Sequence, residues 1–167
     1  MNSGKRPKRV RDQKGDKGLR LCIVVSSFNR RITGRLLKGS LSVIKKQGIL
    51  SASLEIIEVP GAFEIPGVAL LMGQSGRFDA IICLGAVIRG ETDHYDYICS
   101  EVSRGIGYVA LECGLPVIFG VLTTSSLQQA MDRSGSKLNK GAESAETAIE
   151  MGLLYKRLKE DCSRTRL

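Results

Sequence analysis

Apolar residues along this chain come in four short runs, separated by polar turns and by segments of helical period. The runs are LCIVVS (21–26), LEIIEV (54–59), AIICLGAV (80–87) and VIFGVL (117–122), all rich in Val, Ile or Leu. Their length and residue types predict strands, and an unbroken run such as the first predicts one buried on both faces. Between the first two runs the period changes. Ile32, Leu36, Leu37, Leu41 and Ile44 recur at helical spacing, and Gly48 marks the stop. Further helices are predicted from about Ile65 to Gln74, with Pro66 tolerated in its first turn, and from about Tyr95 to Glu112. Two more are expected from about Ser126 to Asp132 and from Ala142 to Leu158, with SGSKLNKG between them.

Strands that alternate with helices predict an α/β fold with a parallel four-stranded sheet. Right-handed crossovers put helices on both faces. Ligands in such sheets bind outside the carboxyl ends of the strands. That rule singles out SSFN, PGAFEIP, AVIRGETDH and FGVLTT, each of which carries an aromatic or charged residue that a plain connector does not need.

Bulk composition narrows the picture. A chain of 167 residues fits one domain. No apolar run is long enough to span a bilayer. The five cysteines, Cys22, Cys83, Cys99, Cys113 and Cys162, are odd in number and include no CxxC pair. They read as thiols of a reduced, intracellular, cytoplasmic protein, with neither a disulfide framework nor a zinc site. The net charge of +8 suggests nucleic acid until it is located: residues 1–20 carry +6 and the rest only +2. The tail MNSGKRPKRVRDQKGDKG has too few apolar residues to offset its own ordering. It reads as a solvated, disordered N-terminus; a nuclear address or nucleic-acid patch in KRPKRVR is the alternative.

Candidate chemistry gathers after the strands. GIGYVA (105–110) has the spacing of a dinucleotide motif, but it falls inside a predicted helix instead of opening one. Glu64 follows a strand and precedes a helix, so it serves either the helix dipole or a ligand hydroxyl. In GETDHYDY the N–H groups of Gly90, Glu91 and Thr92 precede a helix and suit an anion. His94, the only histidine, stands just beyond them and can exchange protons near neutral pH. Lone histidines are more often incidental; the strand-end position is what favours a functional one here. Arg133, Lys137 and Lys140 make a basic loop, which is either solvated or a countercharge for phosphate.

Taken together, SFN, PGAFEIP, LGAVIRGETDHYDY, FGVLTT and RSGSKLNKG resemble the lumazine synthase family, in order and with compatible spacing, over about residues 19 to 158. The resemblance implies a flavodoxin-like three-layer α/β sandwich, residues 19–160 forming one domain between a basic tail (1–18) and a C-terminal tail (161–167). It implies a homopentamer, with larger assemblies of pentamers left open, and no metal or organic cofactor. The implied reaction condenses 5-amino-6-(D-ribitylamino)uracil with 3,4-dihydroxy-2-butanone 4-phosphate. It yields 6,7-dimethyl-8-ribityllumazine, phosphate and water, the penultimate step of riboflavin biosynthesis.

By motif, the family assigns Phe28 to stacking on the pyrimidine and Ala62, Phe63 and Glu64 to the ribityl chain. Ala86, Val87 and Ile88 meet the ring edge, Glu91 and Thr92 lie at the phosphate-binding helix start, and His94 transfers protons. Phe119, against the ring, and Arg133, on the phosphate, come from the neighbouring subunit, with Lys140 near that site. Three features depart from the family pattern: the turn reads SSFN where an arginine or other residue often precedes the Phe, RSGSKLNKG is shorter by about one residue than the common form, and the basic tail is not a family feature. Two competing readings are a non-catalytic flavin- or lumazine-binding module, which has no need of His94, and an assembly protein that binds nucleic acid through its tail.

Overall fold

A computed structural model describes residues 18–49 and 53–164. The tail read as disordered and basic lies outside these residues, apart from its last position, as do residues 165–167. The four apolar runs form β1 (Leu21–Ser26), β2 (Leu54–Val59), β3 (Ala80–Ile88) and β4 (Val117–Thr124). Between and after them lie α1 (Arg30–Lys46), α2 (Ile65–Gln74), α3 (His94–Cys113), α4 (Leu127–Arg133) and α5 (Lys140–Arg164). The sheet is wholly parallel, in the order β2-β1-β3-β4. This is the flavodoxin-like α/β arrangement, and its strand order reverses between β1 and β3.

Side chains alternate across a strand, so β1 and β3 feed two cores. Leu21, Ile23, Val25, Ile82 and Leu84 pack with Ile32 and Leu36 of α1 and Ala145, Ala148 and Ile149 of α5. Cys22, Val24, Ile81 and Cys83 pack on the other face with Ile65 and Ala69 of α2 and Val102, Ile106 and Val109 of α3. GIGYVA is accounted for by this packing. A Cβ on Gly105 would lie 2.7 Å from a carbon of Pro66, so the glycine lets α3 approach the start of α2.

Several helix boundaries differ from the expected ones; the end of α3 and both ends of α4 do so by a single residue. α3 begins at His94, one residue early, so Glu91 and Thr92 precede its cap, Asp93, and do not open the helix. α5 begins at Lys140, not Ala142, because the Asn139 side chain accepts a hydrogen bond from the Ala142 N–H at 3.0 Å and so caps the helix two residues sooner. The same helix continues past Leu158 to Arg164, into the segment expected to be a tail. Residues 157–164 are exposed, so the apolar period fades there, but neither Gly nor Pro stops the helix. No described helix is long and apolar enough to cross a membrane.

Candidate functional site

At the strand-order reversal, the turns after β1, β2 and β3 are tied together. Ser27 N–H donates to the Val59 carbonyl at 2.8 Å, and Phe28 N–H donates to that of Pro60 at 3.1 Å. Asn29 takes a left-handed conformation (φ 55°), which short polar side chains tolerate, and its amide donates to the Ala86 carbonyl at 2.9 Å. The backbone on both sides of Phe28 is therefore fixed while its ring stays 68% exposed. The sequence offers no core for that ring, so its apolar face is available to a ligand.

These turns enclose a cavity of about 680 Å³. Phe28, Ala62, Phe63, Glu64, Ala86, Val87, Ile88, Thr92 and His94 all line it. Glu64 caps α2 by position, yet its carboxylate makes no capping hydrogen bond and lies over Gly61. The dipole-only reading of Glu64 thus loses its expected contact. Glu91 lines neither this cavity nor the recess described below.

Sequence reasoning missed Tyr95, Tyr97 and Ile98, which also line the cavity. Tyr97 and Ile98 lie three and four residues beyond His94, on the same helix face, and that spacing was the available signal. It also missed the brace behind His94. Arg89 donates to both carboxylate oxygens of Asp96, at 3.1 and 2.6 Å, and its guanidinium sits 4.4 Å from the centroid of the Tyr95 ring. The hydrogen bond to Asp96 is the main reason the Arg89 pKa rises. The Arg89 N–H meanwhile donates to the Thr124 carbonyl at 2.9 Å. A two-point ion pair of this kind fixes direction as well as distance. It holds the first turn of α3, and so the backbone that carries His94. The Tyr95 hydroxyl has a raised pKa, first through desolvation and then through its hydrogen bond with Cys99.

Phe119, Arg133 and Lys140 do not join this cavity. They line a second recess of about 490 Å³, together with Glu143, Ser144, Thr147 and β4 residues 118–123. Six consecutive strand residues can face one recess because β4 is an edge strand with an open side. The parallel register pairs Phe119 with Cys83, three residues before Ala86, or about 10 Å back along the sheet at roughly 3.3 Å per residue. Arg133 donates to the Gln129 carbonyl at 3.1 Å and has no carboxylate partner among the described residues. The Lys140 ammonium is 2.5 Å from the Glu143 carboxylate. Glu143, Ser144 and Thr147 escaped sequence reading because they look like the ordinary polar face of a helix. Lys137 is exposed and lines neither pocket.

A parallel sheet with a cavity at its strand-order reversal, lined by aromatic rings, a carboxylate and an imidazole, defines an α/β protein equipped to handle a small molecule. Residues 18–156 match the sequence model of the 6,7-dimethyl-8-ribityllumazine synthases, and the chain belongs to that family. It is therefore a transferase of the lumazine synthase family, which serves riboflavin biosynthesis.

Proposed function

We propose that the chain condenses 5-amino-6-(D-ribitylamino)uracil with 3,4-dihydroxy-2-butanone 4-phosphate. The products are 6,7-dimethyl-8-ribityllumazine, phosphate and water, in the penultimate step of riboflavin biosynthesis. The observation that carries this reading is the division of site residues between a mainly apolar cavity and a mixed recess that bears Arg133 and Lys140, which share no lining residue.

The apolar cavity suits the pyrimidine. Phe28 offers a flat face, the backbone at Ala86, Val87 and Ile88 offers hydrogen bonds to the ring edge, and Glu64, beside Ala62 and Phe63, takes the ribityl hydroxyls. The recess suits the other substrate, with Arg133 and Lys140 on its phosphate and Phe119 against the ring system. Thr92, and Glu91 through its backbone, complete the phosphate side. The amine of the pyrimidine attacks the ketone, and water leaves as the imine forms. Phosphate is then eliminated with loss of the proton on the neighbouring hydroxyl-bearing carbon, the enol so formed tautomerises to a new carbonyl there, and attack of the ribitylamino nitrogen on that carbonyl closes the ring with loss of a second water. Each step moves a proton near neutral pH, the task of His94.

The two pockets become one site when β4 of one subunit lies beside the strand ends of the next. A head-to-tail ring does this, because each subunit then presents one pocket on each side. The chain accordingly works as a homo-oligomer, with a pentamer as the proposed ring and residues 19–160 as its single domain. The test is to mix both substrates with the protein and follow lumazine absorbance. Turnover at catalytic protein concentration is expected; lumazine binding without turnover would establish the binding-module reading.

A further inference from the structure

We infer that Asn139 is a positioning residue for the basic recess: its amide sets where Arg133 and Lys140 stand, and so tunes the affinity for the phosphorylated substrate. This rests on the reading that Arg133 holds that phosphate. Arg133 is the last residue of α4 and Lys140 the first of α5. The chain between them leaves the recess and returns to it, and Asn139 closes that excursion. Asn139 and Ser134 form an antiparallel bridge, so each cation is the immediate chain neighbour of a bridge residue.

The amide makes three hydrogen bonds to three different elements. Its nitrogen donates to the Arg35 carbonyl of α1 and to the Ser134 carbonyl, both at 3.1 Å. Its oxygen accepts from the Ala142 N–H at 3.0 Å. Both N–H donors are used, which only a primary amide can do in this place. The surface of α1 is cut back to receive it. A Cβ on Gly39 would overlap the Asn139 amide, and one on Gly141 would overlap the Leu36 backbone. Ser40 adds a buried hydrogen bond to the Gly141 carbonyl at 2.7 Å. Neither Asn139 nor Gly39 lines the recess, so each acts on a substrate there only through other residues.

A plain structural role would lower stability and affect both substrates alike. A positioning role affects one substrate. Gly39→Ala separates the two, since alanine favours the interior of α1 while its methyl group displaces the Asn139 amide. Steady-state kinetics would be measured on wild type, Arg133→Ala, Asn139→Ala, Gly39→Ala and the Gly39→Ala/Asn139→Ala double variant, after confirming assembly by mass. Displacing a cation by even a fraction of an ångström should raise KM for the butanone phosphate about tenfold in Asn139→Ala and in Gly39→Ala. KM for the pyrimidine should stay within about twofold, and the double variant should be no worse than Asn139→Ala alone.

If Arg133→Ala raises the butanone phosphate KM while both Asn139→Ala and Gly39→Ala leave it unchanged, the inference fails and the phosphate reading stands. If Arg133→Ala itself leaves that KM unchanged, the phosphate reading fails and takes the inference with it. Parallel rises in both KM values would reduce Asn139 to a structural residue. Should Asn139→Ala not assemble, Gly39→Ala decides the question alone.

Discussion

At the carboxyl ends of β1 and β3 the chain builds a cavity from strands that are paired on both sides. On β4 it builds a recess from a strand with one side open. The cavity draws on the turns after three strands, held by the Ser27 and Phe28 N–H groups on the end of β2 and by the Asn29 amide on the Ala86 carbonyl of β3. The recess draws on one strand and two helices, and side chains hold it, Asn139 above all. The cavity presents rings, a carboxylate and an imidazole; the recess presents Arg133, the Lys140–Glu143 ion pair and hydroxyl groups beside the exposed edge of β4. A neutral heterocycle needs an apolar wall that excludes water, and buried strand ends provide one. A phosphate needs countercharge that stays solvated when the site is vacant, and an open edge provides that. The division of labour therefore follows from what each place in the sheet can support.

The largest expected effect removes the one residue meant to do chemistry. His94→Ala should lower kcat by about 10²-fold or more and leave pyrimidine binding little changed, as for a general acid–base group. Single-turnover lumazine formation checks it. An unaltered kcat in an assembled variant would leave the cavity a binding surface only.

The next tests whether the two pockets belong to different chains. His94→Ala and Arg133→Ala, each weakly active when butanone phosphate is kept well below its KM, would be unfolded, mixed in equal amounts, refolded together and assayed at that concentration. Random assembly puts an intact cavity beside an intact recess at roughly one interface in four, so about a quarter of wild-type activity should return. Mixed rings verified by mass but no more active than either parent would place both pockets' work within one chain.

A smaller effect tests the chemical contrast itself. A charge-assisted phosphate contact is worth about 1.5–3 kcal/mol, so Arg133→Ala should raise the butanone phosphate KM roughly 30-fold. Phe28→Ala should instead weaken the pyrimidine, by a comparable or lesser factor, because stacking acts on that substrate alone. Equal losses on both substrates in both variants would erase the distinction between pockets.

The cavity was more legible in the sequence than the recess, for a physical reason. Strands buried on both faces leave unbroken apolar runs, and the residues just after such runs mark the cavity. Phe28 stood out because an aromatic residue in a polar turn has no core to enter. The recess depends on β4 lying at the edge, and strand order leaves no mark in four alternating units. Asn139 was silent because one of its partners, Arg35, lies 104 positions away. Tyr97 and Ile98 did not stand out within the predicted helix because a cavity wall and a core wall share one period. The far end of α5 was missed because an exposed helix carries no apolar stripe.

The smallest effect concerns the core on the face of the sheet that carries α2 and α3. Cys22 and Cys83 sit in that core, in one cluster with Ala62 and Ile65. Burial chiefly, with the charge of Glu55 adding, pushes the Cys22 pKa from the ordinary 9.0 up to about 12. Burial raises Cys83 as well, with Cys22 adding. The recess, lined by β4 residues 118–123 and by charged and hydroxyl side chains of α4 and α5, includes no thiol. Above the ordinary thiol pKa of 9.0 the unfolded chain has released these protons while the folded chain keeps them. The unfolded state then binds fewer protons, so stability falls as pH rises. The window opens near 9.0 and, for Cys22, closes near 12. Within it each thiol should remove about 1.4 kcal/mol per pH unit. Denaturant unfolding at fixed protomer concentration, compared at about pH 8 and about pH 10.5, reads the slope. Cys83→Ala should be less stable at every pH through lost volume, yet its alkaline slope should be shallower than that of wild type by about 1.4 kcal/mol per pH unit. Equal slopes in the two proteins would mean that Cys83 does not hold its proton through the fold.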